Sequence, residues 1–153
     1  MHEAVIVSGA RTPIGGFGGV FKDIAASDLG AAAIKSAMDR IKLSPDMLDE
    51  VVFGNSLQAE ESGYTARLSA LRAGIPEEVP AIAINRQCSS GLEAINIAAQ
   101  LVRTGEIDIA VAGGAENMSQ TPFLLSYKAR FDGLRLGDAP LTDSLVAGLN
   151  CPV

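Results

Sequence analysis

Ala81-Ile82-Ala83-Ile84-Asn85-Arg86-Gln87-Cys88-Ser89-Ser90-Gly91 is the stretch from which the rest of the chain is read. The apolar run Ala81 to Ile84 reads as a strand. From Ser89 to about Thr104 the pattern turns helical. A strand that delivers a cysteine onto the first turn of a helix is suited to making a nucleophile. The free N–H groups and the dipole of a helix start favour the thiolate over the thiol. The same N–H groups can receive an oxyanion that develops beside the sulfur. Ser89, Ser90 and Gly91 are small, which leaves room for substrate and for close packing. The plainer reading of Cys88, a small buried hydrophobe, holds for most cysteines; the strand–helix junction weighs against it.

Working outward, Glu93, Asn96, Gln100 and Arg103 make one narrow polar stripe on an otherwise apolar helix. That pattern predicts a central, sandwiched helix and hence a rigid mount for Cys88. Upstream, Ala4-Val5-Ile6-Val7 reads as a strand buried on both faces. The glycine-rich loop Gly9 to Gly19 lacks both Gly-x-Gly-x-x-Gly and Gly-Lys-Ser/Thr, so a surface excursion is expected rather than a phosphate cradle. Ser27 is placed to cap a helix carrying Leu29, Ala33, Ile34, Ala37, Met38 and Ile41 at helical spacing. Ser44-Pro45-Asp46 starts a short helical turn. Val51 to Gly54 is a strand, and about Tyr64 to Ala73 a helix with Leu68 and Leu71 as its apolar side, stopped by Gly74 and Pro76. Ile107 to Ala112, ending at Gly113-Gly114, is a further strand. The alternation implies an α/β fold, a mainly parallel sheet with helices on both faces. After Gly114 the chain becomes polar and turn-prone, and Phe123 to Val153 has no strong period. Residues 1–118 are therefore expected to form an α/β domain and 119–153 the opening of an inserted loop region.

With 153 residues, the chain has room for one core. Apolar residues make up 48%, and an apolar excess of that kind implies either a very full core or surface meant to be covered by more protein. A net charge of −6 without any basic run argues against nucleic acid. Asp49-Glu50 and Glu60-Glu61 read as solvated faces. Cys88 and Cys151 are too few for a disulfide framework, and with His2 alone they give no metal motif. His2 reads as a surface residue. No signal peptide, transit peptide or membrane span is apparent, so a reducing, cytoplasmic setting is expected, and it suits a free thiol.

Asn85-Arg86-Gln87-Cys88-Ser89-Ser90-Gly91-Leu92-Glu93-Ala94-Ile95, followed by Ala112-Gly113-Gly114-Ala115-Glu116-Asn117-Met118-Ser119, resembles the active-site signature of the thiolases. Arg11-Thr12-Pro13-Ile14-Gly15 and Gly54-Asn55-Ser56-Leu57-Gln58 are also similar to positions of that family. The resemblance covers essentially the whole chain. The tail segment Phe131 to Asp138 resembles the short-chain acetoacetyl-CoA type, an acetyl-CoA C-acetyltransferase, more than the long-chain degradative type.

The resemblance implies a thiolase-like N-terminal domain lacking its last helix and strand, and an acyltransferase that makes or cleaves acetoacetyl-CoA. It implies that Cys88 takes an acetyl group from acetyl-CoA, with its own backbone N–H as one oxyanion donor. No bound cofactor is implied, since coenzyme A thioesters are the substrates. A thiolase is roughly twice to three times as long, and the remainder carries a histidine, a second cysteine, an asparagine and most coenzyme A contacts. Activity is thus expected only with a complementary C-terminal half, in a homo-oligomer paired through the 81–84 strand. The family's Gln-Asn-Pro-Ala-Arg segment is Ser62-Gly63-Tyr64-Thr65-Ala66-Arg67 here. Two alternatives stand beside this reading: a non-catalytic oligomerisation scaffold, and a related condensing enzyme such as a ketoacyl or hydroxymethylglutaryl synthase.

Overall fold

The computed structural model describes residues 2–58, 60–134 and 136–150. Its main sheet has three parallel strands in the order β2–β1–β3, where β1 is Glu50–Gly54, β2 Ala81–Ile84 and β3 Ala110–Gly114. Val52 is level with Ile82 on one side and Ala112 on the other. Parallel pairing demands long crossovers, and helices fill them: α2 (Thr65–Arg72) between β1 and β2, and α3 (Ser90–Thr104) between β2 and β3. Helix α1 (Ala26–Arg40) precedes β1.

The central strand is buried on both sides because successive side chains point oppositely. Val51 and Phe53 pack with Ile34 and Met38 of α1 and Ala66 and Ala70 of α2, whereas Val52 packs with Ala94 and Ala98 of α3. Val51 and Val52 are both 0% exposed, and each such side chain contributes about 1.5–3 kcal/mol. Helices on both faces of a parallel sheet are thus present as the sequence pattern predicts.

Several local expectations change. The buried residues of α2 are Thr65, Ala66, Ser69 and Ala70, while Leu71 is 41% exposed. The reason lies in α1: a Cβ at Gly30 would stand 2.4 Å from Ser69 Oγ and 2.9 Å from Phe53 Cε1. So close an approach selects small residues, not leucines. Ser27 does not cap α1, which begins at Ala26; its buried hydroxyl donates to Glu61 Oε1 at 2.5 Å. Strand β3 begins at Ala110, later than the pattern predicts. The Asp49 carboxylate accepts the N–H groups of Asp108 and Ile109 at 2.8 and 2.9 Å, which ties that segment down outside the ladder. Those backbone donors, Ile109 first, hold the Asp49 carboxyl below its ordinary value.

Two larger corrections concern burial. Ala4 to Val7 forms no strand, and Val5, Ile6 and Val7 are 67%, 81% and 69% exposed. Near its ends the run is held by His2 N–H to Arg103 O (3.1 Å) and Ser8 Oγ–H to Ala37 O (2.7 Å). Among the described residues no strand lies beside it to take its backbone hydrogen bonds. Likewise α3 is not sandwiched. Ser90, Ala94 and Ala98 are buried on one face, and Leu92 on another is 63% exposed.

In the tail, β4 (Phe123–Leu125) pairs antiparallel with β5 (Leu141–Asp143), with short helices α4 (Lys128–Asp132) and α5 (Ser144–Leu149). The aperiodic sequence gives no sign of this pair. Asp143 caps α5 by accepting from Leu145 N–H at 2.9 Å. Among the described residues, no helix is long and apolar enough to cross a membrane.

Candidate active site

The three parallel strands end at one edge of the sheet, the place where open α/β sheets expose their ligand-binding loops. Beyond β2, the Asn85 Oδ1 accepts the Gln87 N–H at 3.1 Å, an Asx turn that bends the chain at once. Gln87 then adopts φ +52°, a left-handed conformation uncommon outside glycine. Cys88 follows, with its side chain exposed. Ser89 is the N-cap of α3 and Ser90 its first residue. The cysteine therefore sits in the turn just ahead of the helix, not on its first turn.

The carbonyl of Gln87 is the knot of this turn. It accepts from Ser90 N–H at 3.0 Å, Ser90 Oγ–H at 2.6 Å and Ser56 Oγ–H at 2.7 Å. Ser90 Oγ in turn accepts the Arg86 N–H at 2.8 Å. The Arg86 guanidinium pairs with Glu93 at 2.6 Å, a surface ion pair of at most about 1 kcal/mol.

The ends of β1 and β3 close on the same turn. A Cβ at Gly54 would lie 2.5 Å from the Ser90 carbonyl carbon and 2.6 Å from Gly91 N, so the absence of a side chain lets α3 start on the end of β1. Asn85 Nδ2 donates to Ser56 O at 3.0 Å. Glu116, just past β3, accepts the Ser56 N–H at 2.8 Å through Oε2 and Asn55 Nδ2 at 2.8 Å through Oε1. Asn55 is 1% exposed, and its Nδ2 also donates to Ala115 O at 3.0 Å. These acceptors fix the orientation of the amide.

The family model described as "Thiolase, N-terminal domain" matches residues 4–152. The chain belongs to the thiolase family. It is 47% identical over 146 residues to a probable acetyl-CoA acyltransferase of Staphylococcus aureus, covering 95% of this chain and 37% of that protein. A protein of the same description from Staphylococcus epidermidis is 44% identical over 147 residues, with 96% and 37% covered. Among solved structures, an acetyl-CoA acetyltransferase of Bacillus anthracis aligns with TM-score 0.92 and 37% identity, covering 100% of this chain and 38% of that one. Human mitochondrial 3-ketoacyl-CoA thiolase, solved in complex with CoA, aligns with TM-score 0.87 and 42% identity, covering 94% and 36%. The chain thus spans a little over a third of the length of these thiolases.

Within this thiolase N-terminal domain the other sequence candidates take structural places. The glycine-rich loop docks on the segment after β3: Asn117 Nδ2 donates to Phe21 O (2.8 Å) and Ile24 O (2.7 Å), and Gly18 N–H donates to Ser119 Oγ (2.9 Å). Glu61 is not a freely solvated carboxylate. It pairs with Arg72 at 2.7 Å, and Asp28 lies 3.1 Å from the same nitrogen. The hydrogen bond from Arg72, then that from Ser27, holds the Glu61 carboxyl below its usual value. A cavity of about 290 Å³ opens beside this cluster, lined by Asp23, Ser27, Asp28, Glu61 and Gln120 among others, and none of its residues comes from the Cys88 turn. His2 is exposed, with its ring over Gly105, whose φ of +76° ends α3. Among the described residues no group of His, Cys, Asp and Glu is arranged to hold a metal ion. Cys151 lies outside the described residues.

Cys88 stands out from the sequence alone, whereas Asn55, Ser56 and Glu116 figure there only as parts of motifs. Their work on the turn went unread. The available signal is position: each is a polar residue within two residues of the end of an apolar strand.

Proposed function

We propose that this chain supplies the nucleophile of an acetyl-CoA C-acetyltransferase. The observation that carries the reading is the exposed thiol of Cys88 on a tightly bonded turn where three parallel strands end. The Cys88 thiolate attacks the carbonyl carbon of acetyl-CoA, and the oxyanion is received in part by the Cys88 N–H. Collapse expels the coenzyme A thiolate, which takes up a proton, and leaves an acetyl thioester on Cys88. A second acetyl-CoA gives up an α proton to a base from the remaining part of the thiolase. Its carbanion attacks the acetyl carbonyl, a carbon–carbon bond forms, and the Cys88 thiolate departs, yielding acetoacetyl-CoA. The reverse sequence cleaves it. Preference for the short-chain substrate rests on the tail segment Phe131 to Asp138, and pairing of subunits on the open edge of β2.

The test is intact-mass analysis after incubation with acetyl-CoA, for the chain alone and with a thiolase C-terminal half, with Cys88→Ala as control. Acetylation of Cys88 only with the other half present supports completion of the site in trans. Acetylation of the chain alone supports the nucleophile and removes the need for the other half in this step. No label in either case defeats the reading and favours a scaffold role for the domain.

A further inference from the structure

Glu116 lies at a different strand end from Cys88, and two hydrogen bonds connect it to the residue before the cysteine. The Glu116 carboxylate accepts the Ser56 N–H at 2.8 Å, and the Ser56 hydroxyl donates to the carbonyl of Gln87 at 2.7 Å. The next residue in the chain is Cys88. A non-glycine residue at φ +52° is held there only when its surroundings over-determine it. Here the surroundings are identifiable: the Asn85 side chain on the Gln87 N–H, and the Ser90 and Ser56 hydroxyls on its carbonyl. Asn85 and Ser90 belong to the turn itself, and Asn85 Nδ2 also reaches Ser56 O. Ser56 comes from another strand end, and so fixes the turn relative to the sheet. Its own position is set by Glu116, whose carboxylate also takes Asn55 Nδ2 at 2.8 Å, with the Leu57 N–H at a longer 3.4 Å. A charged acceptor makes these bonds stronger than a neutral one would.

We propose that Glu116 is a positioning residue, a carboxylate brace that acts through Ser56 to hold Gln87 left-handed and thereby aims the Cys88 thiol out of the turn. This deepens the reading of Cys88 as nucleophile and rests on it, but it concerns how the thiol is presented and needs no coenzyme A chemistry to be tested. With the brace gone, Gln87 relaxes toward negative φ and the turn rotates the cysteine. Glycine at position 87 has no such drive, because it populates positive φ without steric cost.

The experiment is the rate of iodoacetamide alkylation of Cys88 in the full chain, read by peptide-resolved mass spectrometry so that Cys151 is counted separately. Four proteins are compared: the parent, Glu116→Gln, Gln87→Gly and the double variant, with circular dichroism to confirm folding. Glu116→Gln is expected to slow alkylation about tenfold, the change that one rare backbone conformation commands. In the Gln87→Gly background the same substitution is expected to change the rate by less than about twofold. Equal rates for the parent and Glu116→Gln overturn the proposal. So does an equal slowing in both backgrounds, which marks a structural role not routed through Gln87. Should Glu116→Gln fail to fold, Ser56→Ala carries the same pair of comparisons, since it removes the bond to Gln87 and leaves the Glu116 contacts to the backbone. If acetylation by acetyl-CoA fails while this alkylation pattern holds, the brace stands and the acyltransferase reading falls. The opposite result separates them the other way.

Discussion

Glu50–Gly54 and Ala4–Val7 are the two stretches of the chain that sequence reads most alike, and they end in opposite environments. In β1, Val51 and Val52 are 0% exposed and Phe53 3%; in the N-terminal run, Ile6 is 81% exposed. Both are short and rich in β-branched residues. What separates them is company. β1 has a hydrogen-bonded strand on each side and a helix layer on each face, whereas the other run touches its surroundings chiefly at His2 and Ser8. An apolar run states a demand for two neighbours and two covers, and it does not say whether the same chain meets that demand.

The contrast is broken most severely by a charge in each run. Val52→Asp places a carboxylate between the sheet and α3, and is expected to cost more than about 4 kcal/mol and to abolish the cooperative transition. Ile6→Asp changes a side chain already in water, and its effect is expected within about 0.5 kcal/mol. Urea denaturation of both variants checks the pair. Comparable losses would mean that the run from 4 to 7 is packed in solution after all.

Gly54→Ala comes next. A methyl group 2.5 Å from the Ser90 carbonyl carbon must push α3 off the end of β1. A destabilisation of about 1–3 kcal/mol is expected, as for other overpacked sites. Cys88, in the turn just ahead of α3, is expected to change its alkylation rate in step. An unchanged midpoint in urea would show that the helix start gives way without cost.

How much of this was legible beforehand follows the same division. The layered parallel fold, the strand–helix junction at Cys88 and the Pro45–Met47 turn are properties of neighbouring residues in sequence, and local pattern reports them. The buried face of α2 is not legible in this way, because its packing is decided by Gly30 on another helix. The apolar circumference of α3 predicts a sandwiched helix, but composition does not reveal which cover is present. The bracing of the Cys88 turn by Ser56 and Glu116 joins residues 60 apart in sequence or, for Ser56 and Gln87, 31 apart. No periodicity carries such a pairing.

A smaller effect is expected where the glycine-rich loop is docked. Asn117→Ala removes donors to Phe21 O and Ile24 O and the acceptor of the Ser119 N–H. The expected loss is about 1–3 kcal/mol, from carbonyls left without their partner. Hydrogen exchange is expected to rise in residues 16–25 and not in β1. Uniform protection across both segments would place the anchoring of that loop elsewhere.

The smallest effect lies at the entrance to the paired strand, and its sign is set by linkage. Asp49 accepts the N–H groups of Ile109 and Asp108, and they hold its carboxyl below the ordinary aspartate value. A carboxylate with a depressed folded pKa adds stability in full above the unfolded value. That contribution is lost as pH falls through the folded one. Asp49→Asn removes the charge at every pH. The parent should therefore exceed the variant in urea midpoint near neutrality, and the gap should close as pH is lowered below about 4. A gap that widens on acidification reverses the sign and would mean that the Asp49 charge is unfavourable in the folded chain. A gap that stays constant would assign the stabilisation to the shape of the side chain. In either case what distinguishes β1 from the run at 4 to 7 would lie in burial and strand pairing alone, with no share for the carboxylate just ahead of β1 that binds the segment before β3.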